Sequence, residues 1–191
     1  MGREFEIKYR LTPEAFEALS QRFGPFRQIQ METTYYDTPE GALSARRWTL
    51  RRRLENGVSV ITLKTPGTNG GRGEWEVPSE AVDAGLLIAA GAPRELETLI
   101  APGLIPTCAA RFTRLAAALC YGESTLELAL DRGKVLGGSR DAPIFEVEAE
   151  LKSGRDRDVR SFGAFLETAY GLVPERKSKF RRAMELAQER R

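Results

Sequence analysis

An antiparallel α+β fold is what this sequence predicts, and three observations predict it. Short stretches in which apolar and polar residues alternate recur along the 191 residues. Several are joined by hairpin-type turns, above all Asn56-Gly57. Helical patterns occur only as single insertions, not in the regular strand–helix alternation of a doubly wound parallel fold. The length suits one domain, residues 1–191, with a real core.

The first strand is expected at 3–11, where Phe5, Ile7 and Tyr9 alternate with Glu4, Glu6 and Lys8. Thr12-Pro13-Glu14 opens a helix to about Arg22, with Thr12 as N-cap and proline at its first position. Gly24-Pro25 ends it. A second strand covers 27–37 and closes in the turn Asp37-Thr38-Pro39. Residues 47–55 and 58–64 form the Asn-Gly hairpin. The segment 66–73, rich in Gly, Pro, Thr and Asn, reads as a loop, either a lid or plain surface. A fifth strand is placed at 73–78. Ser79 is expected to cap a helix to about Ala90, with another at 94–100. Three strands follow at 108–120, 124–131 and 143–151, with a loop from Gly133 to Pro143. A helix over 156–170 stops at Gly171, and a last one runs from Pro174 to the end. The total is about eight strands and four or five helices, with the sheet either open or closed.

The composition narrows the chemistry. Net charge is +2, so no strong global field for nucleic acid or membrane is expected. No apolar run approaches the ~18 residues of a bilayer span. The strand pattern starts at Glu4, so no signal peptide is expected. Cys108 and Cys120 make neither a metal-ligand spacing nor a disulfide framework, which points to a reducing cytoplasm. The sequence has no histidine. Nucleophile–histidine systems and His-ligated zinc are therefore excluded, and any enzyme here works with carboxylates, Lys, Arg, Tyr or metal.

Charge is sorted by strand face. Side chains two apart share a face. Glu4, Glu6 and Lys8 line one face near the N-terminus, and Glu146, Glu148 and Glu150 line another near the far end. Glu74 and Glu76 form a third acidic set. Between them lie basic sets: Arg51 with Arg53, then Lys64, then Arg114. Asp131 closes the strand LELALD. A solvated sheet face explains any one such strand. Repeated like charges two apart repel, and a divalent cation beside the acids and a polyanion beside the bases would relieve both. Carboxylates are the ligands Mg²⁺ prefers.

The ordered set of Glu4-x-Glu6-x-Lys8, TYYDTP at 34–39, LRRR at 50–53, LKTPG at 63–67, LALDRG at 128–133, EVEAELKSG at 146–154 and KSKF at 177–180 resembles the CYTH domain, the triphosphate tunnel metalloenzymes, over nearly the whole chain. The resemblance implies an eight-stranded antiparallel closed β-barrel forming a tunnel, helices packed outside, and hydrolysis of a triphosphate with Mg²⁺ or Mn²⁺. It implies Lys8, Arg51, Arg53, Lys64, Arg114 and Lys179 as phosphate binders, with Arg111 as the alternative to Arg114. It implies Glu4, Glu6, Glu148 and Glu150 as metal ligands. Glu76 and Asp131 would stand near a second metal or the attacking water, so Glu76, Asp131 and Lys8 form the expected catalytic group. Glu74 and Glu146 share the right faces.

Inorganic triphosphate needs only charge, which is what the sequence displays. Thiamine triphosphate would want an aromatic platform. Trp48 and Trp75 fall on the opposite faces from Arg51 and Glu76, where packing is expected. Adenylate cyclisation of the class IV type shows no signature. A polyphosphate- or nucleotide-binding sensor is the non-enzyme reading, and the many carboxylates argue against it. Tyr35, Tyr36, Cys108 and Cys120 are expected to pack. A small-molecule triphosphate is thus the expected partner, with no nucleic acid or membrane, for a cytoplasmic monomer or homodimer.

Overall fold

The computed structural model describes residues 5–66 and 72–188. The elements run β1 (Glu6–Arg10), α1 (Pro13–Phe23), β2 (Arg27–Asp37), α2 (Ala42–Ala45), β3 (Thr49–Glu55), β4 (Val58–Pro66), β5 (Arg72–Pro78), α3 (Ala84–Ala89), α4 (Glu95–Ile100), β6 (Ile105–Tyr121), β7 (Ser124–Gly137), β8 (Arg140–Ser153), α5 (Asp156–Tyr170), β9 (Val173–Pro174) and α6 (Lys179–Gln188). The strands hydrogen-bond in the order β5-β4-β3-β2-β6-β7-β8-β1-β9.

The α+β class and antiparallel pairing are as expected; two details of the barrel are not. The sheet has nine strands among the described residues, because the two-residue β9 pairs with β1 through Tyr9↔Pro174 and Arg10↔Val173. Its order is open, with β5 and β9 at the two ends. The expected eight-stranded closed barrel is corrected on both counts.

Element boundaries shift for identifiable reasons. The expected loop at 133–143 is instead the close of a hairpin, since β7 continues to Gly137 and β8 resumes at Arg140. Gly138 turns the chain at φ 59°. Asp83, not Ser79, caps α3, its carboxylate accepting from the Leu86 amide at 3.1 Å. The last helix starts at Lys179 rather than Pro174. Most of the 66–73 segment lies outside the described residues.

Packing divides the chain into two compact units. The first comprises residues 1–29, 112–134 and 143–178. Its core takes Tyr9 from β1, Leu126, Leu128 and Leu130 from β7, Val147 and Ala149 from β8, Phe16 and Leu19 from α1, and Val159, Phe162 and Leu166 from α5. Phe162 is fully buried and meets Phe23 and Tyr121 edge-on. Burial of each such side chain contributes about 1.5–3 kcal/mol. Thr12 caps α1 as expected, accepting from the Ala15 amide at 3.1 Å.

The second unit comprises residues 30–111, 135–142 and 179–191. Asn56 and Gly57 adopt φ 50° and 86°, the positive values a tight hairpin needs. On one face of β3 and β4, Leu50, Ile61 and Leu63 are buried with Leu43, Leu87 and Leu96 from the short helices. Trp48 and Trp75 pack against this cluster, as expected. No described helix is long and apolar enough to cross a membrane.

Candidate active site

In the first unit, pairing of β1 with β8 sets the acidic face. The register is Glu6↔Glu150, Lys8↔Glu148 and Arg10↔Glu146. Directly paired residues project to the same side. Glu6, Lys8, Glu146, Glu148 and Glu150 thus share one face, while Tyr9, Val147 and Ala149 enter the core on the other. The alternation read from the sequence holds. Glu4 lies outside the described residues. Lys8 is half-buried, with no side-chain hydrogen bond or ion pair to another described residue.

Asp131 on β7 and Glu146 on β8 are fully buried. With Glu148 they present carboxylate oxygens all within 4.8 Å of one another. Arg114 on β6 is their counter-charge. Its Nε and Nη2 donate to the two Asp131 oxygens, both at 2.8 Å, and Nη2 also donates to Glu148 Oε2 at 2.6 Å. Burial opposes the Arg114 charge, but Asp131 and Glu148 outweigh it and drive the guanidinium pKa further up. Three carboxylates this close, two of them buried, form a hard oxygen donor set that fits a divalent cation. Glu150 stands differently, accepting from Lys152 Nζ at 2.8 Å. Glu146, which the sequence placed on the right face without a role, is the residue that completes the cluster.

In the second unit, the register builds a row across four strands: Tyr35 on β2, Arg51 on β3, Thr62 on β4 and Glu76 on β5. Arg53 and Lys64 lie on the same face as Arg51 and Thr62. Glu76 Oε2 accepts from Thr62 Oγ1 at 2.8 Å and from Arg53 Nη2 at 3.3 Å, with Arg51 Nη2 at 3.9 Å. Lys64 Nζ pairs with Glu74 at 2.8 Å. Arg51 Nε is buried without a hydrogen-bond partner among the described residues. Arg51 and Arg53 side chains are only 17% and 16% exposed, so their charge sits where screening is weak.

Tyr35 belongs to this set more closely than the sequence indicated. It is buried, and its ring lies 5.0 Å from that of Phe180. Burial raises its pKa, while the Arg51 and Lys179 charges pull the other way. No periodic signal in the sequence marks Tyr35, because its partners come from β3 and α6. Lys179 is the first residue of α6. Arg111, the alternative to Arg114, sits half-exposed with Glu32 at 3.5 Å, whereas Arg114 joins the acidic cluster.

The CYTH domain profile matches residues 2–184. An inorganic triphosphatase of Haemophilus influenzae is 30% identical over 171 residues, which cover 85% of this chain and 49% of that protein. The chain therefore spans about half the length of this curated relative. Among solved structures, HpAC1 from Hippeastrum, for which a dominant triphosphatase activity is described, aligns with a TM-score of 0.68 at 20% identity, covering 96% of this chain and 95% of that one. The PH1819 protein of Pyrococcus horikoshii OT3 aligns with a TM-score of 0.60 at 23% identity, covering 96% and 99%. At these identities the two structures speak for the fold.

Proposed function

The chain belongs to the CYTH domain family, and from that membership we propose that it hydrolyses a triphosphate, foremost inorganic triphosphate, with the help of Mg²⁺ or Mn²⁺. The observation that carries the reading is the carboxylate cluster of Asp131, Glu146 and Glu148, two of them buried, with Arg114 bonded to Asp131 and Glu148. A passive polyanion binder gains nothing from three clustered acids. Asp131, Glu146 and Glu148, together with Glu6 on β1 and Glu150 on β8, and with Glu4, would hold the cation. When bound, it would neutralise charge on the phosphate oxygens.

The remaining steps fall to side chains. Arg51, Arg53 and Arg114 offer forked donors to phosphate oxygens, and Lys8, Lys64 and Lys179 offer compact positive charge. The water would be oriented by a carboxylate such as Glu76 or Asp131, or by a second metal. Water attacks the terminal phosphorus in line, its proton passes to a carboxylate, and pyrophosphate leaves as orthophosphate forms. Phosphoryl transfer of this kind rests on positioning and charge stabilisation, which suits a chain without histidine.

Inorganic triphosphate is favoured over thiamine triphosphate or ATP by the tryptophans. Both pack in the apolar cluster of the second unit, and Tyr35 is buried against Phe180, so neither tryptophan nor Tyr35 offers an open platform beside Arg51. The proposed setting is the cytoplasm, as a monomer or homodimer without nucleic acid.

The test is phosphate release from inorganic triphosphate, thiamine triphosphate and ATP, each with Mg²⁺, Mn²⁺ or EDTA. Metal-dependent release from inorganic triphosphate is expected. Release only from an organic triphosphate would move the reading to that substrate, and none from any would sink it.

A further inference from the structure

Gly137 ends β7 where α6 crosses it. A β-carbon there would fall within contact distance of the Ala183 carbonyl oxygen, 2.6 Å from the Ala187 amide nitrogen and 2.9 Å from Leu186 Cβ. The first two are backbone atoms of the helix, which cannot swing aside as a side chain can. Ala183 is itself fully buried. The helix thus rests directly on the strand one to two turns from Lys179. At Lys179's own end, its neighbour Phe180 packs on Tyr35, with ring centroids 5.0 Å apart, and Tyr35 is the strand partner of Arg51. Glycine inside a strand is otherwise unfavourable and marks such a close approach.

We propose that Gly137 is a positioning residue for Lys179: the missing side chain lets α6 seat deeply enough to hold its first turn, Lys179 and Phe180, against Tyr35. This rests on the reading of Lys179 as a phosphate binder. The height of the helix over the strand, rather than the length of the lysine, then sets where that positive charge stands. Any side chain at 137 would lift the helix and withdraw the ammonium together with Phe180.

The experiment uses the full chain with Gly137→Ala, and Ala183→Val as a second variant that enlarges the same crossing from the helix side. Each is made in the native and the Lys179→Ala backgrounds. Steady-state hydrolysis of inorganic triphosphate with Mg²⁺ should show KM raised at least fivefold in the native background and less than twofold in the Lys179→Ala background. Equal rises in both backgrounds, or no rise in either, would overturn the proposal. A parallel readout is independent of activity. The rate of Lys179 acylation by an amine-reactive ester, measured by mass spectrometry against Lys152, should rise severalfold in Gly137→Ala. If Lys179→Ala leaves KM unchanged, the phosphate-binding reading fails, and the acylation rates still decide the positioning: a rise supports it and an unchanged rate overturns it.

Discussion

Arg114 clasps Asp131 through two parallel hydrogen bonds of 2.8 Å, the fork of the guanidinium matching both carboxylate oxygens. Because Asp131 is fully buried, this pair compensates charge that water cannot reach. Arg114→Gln should therefore destabilise the fold by about 3–5 kcal/mol, the usual cost of removing one partner of a buried pair. Urea unfolding measures it. Millimolar Mg²⁺ or Mn²⁺ should recover part of the loss, since a cation bound only by the folded state raises its stability. Arg114→Lys keeps the charge but not the fork and should fall between. A variant as stable as the parent, with or without metal, would refute the role given to the pair.

Lys8 and Glu148 face each other across β1 and β8 on the side away from the core. Lys8→Ala and Glu148→Ala should each abolish phosphate release while leaving the far-ultraviolet circular dichroism spectrum unchanged. Wild-type turnover in either would count against the assigned site.

Tyr9 donates to Glu167 at 2.7 Å. Burial, followed by that bond and the nearby carboxylate charge, pushes its pKa to about 12. The folded state thus favours the neutral phenol. The stability this provides is fully present below the ordinary tyrosine value near 10 and fades as pH rises from 10 to 12. Tyr9→Phe should cost about 1 kcal/mol at neutral pH through the lost hydrogen bond. It should also flatten the alkaline fall of stability in that window, and an unaltered profile would exclude Tyr9 as its source.

Asp37 is buried and accepts three backbone amides, from Thr38 at 2.8 Å, Leu43 at 2.9 Å and Ser44 at 3.0 Å. It organises the entry to α2, whose own cap residue, Gly41, brings no side chain. Asp37→Ala should destabilise by about 2 kcal/mol, the upper range for a lost cap, and Asp37→Asn by less. Thermal melts distinguish the two.

Periodicity carried most of what the sequence revealed. Alternation in EFEIKYRL and FEVEAEL put the acids on one face because a pleat leaves no other choice for side chains two apart. Arg114 over Arg111 could not be decided that way, since the choice depends on which residues β6 meets. Glu146 and Tyr35 take their weight from partners on other elements, which alternation within one strand does not show. The stretch 133–143 misled because Gly133, Gly137 and Gly138 look like loop residues. Gly138 makes the turn, whereas Gly137 is a strand residue made small by the helix above it. Neither α2 nor β9 has a periodic signal, as four and two residues are too few to show one.

The pairing of β1 with β8 has a bearing on how such a protein can change over generations. One pleat decides both which residues reach the carboxylate face and which fill the core beneath α5. A single-residue insertion inside either strand would exchange the two sets downstream, exposing Tyr9 or Val147 and driving Lys8 or Glu148 into apolar surroundings. Chemistry and folding would fail in the same step, leaving no partly working intermediate for selection to keep. Length changes in this lineage are thus confined to the turns and to the ends of these two strands, or must arrive in pairs.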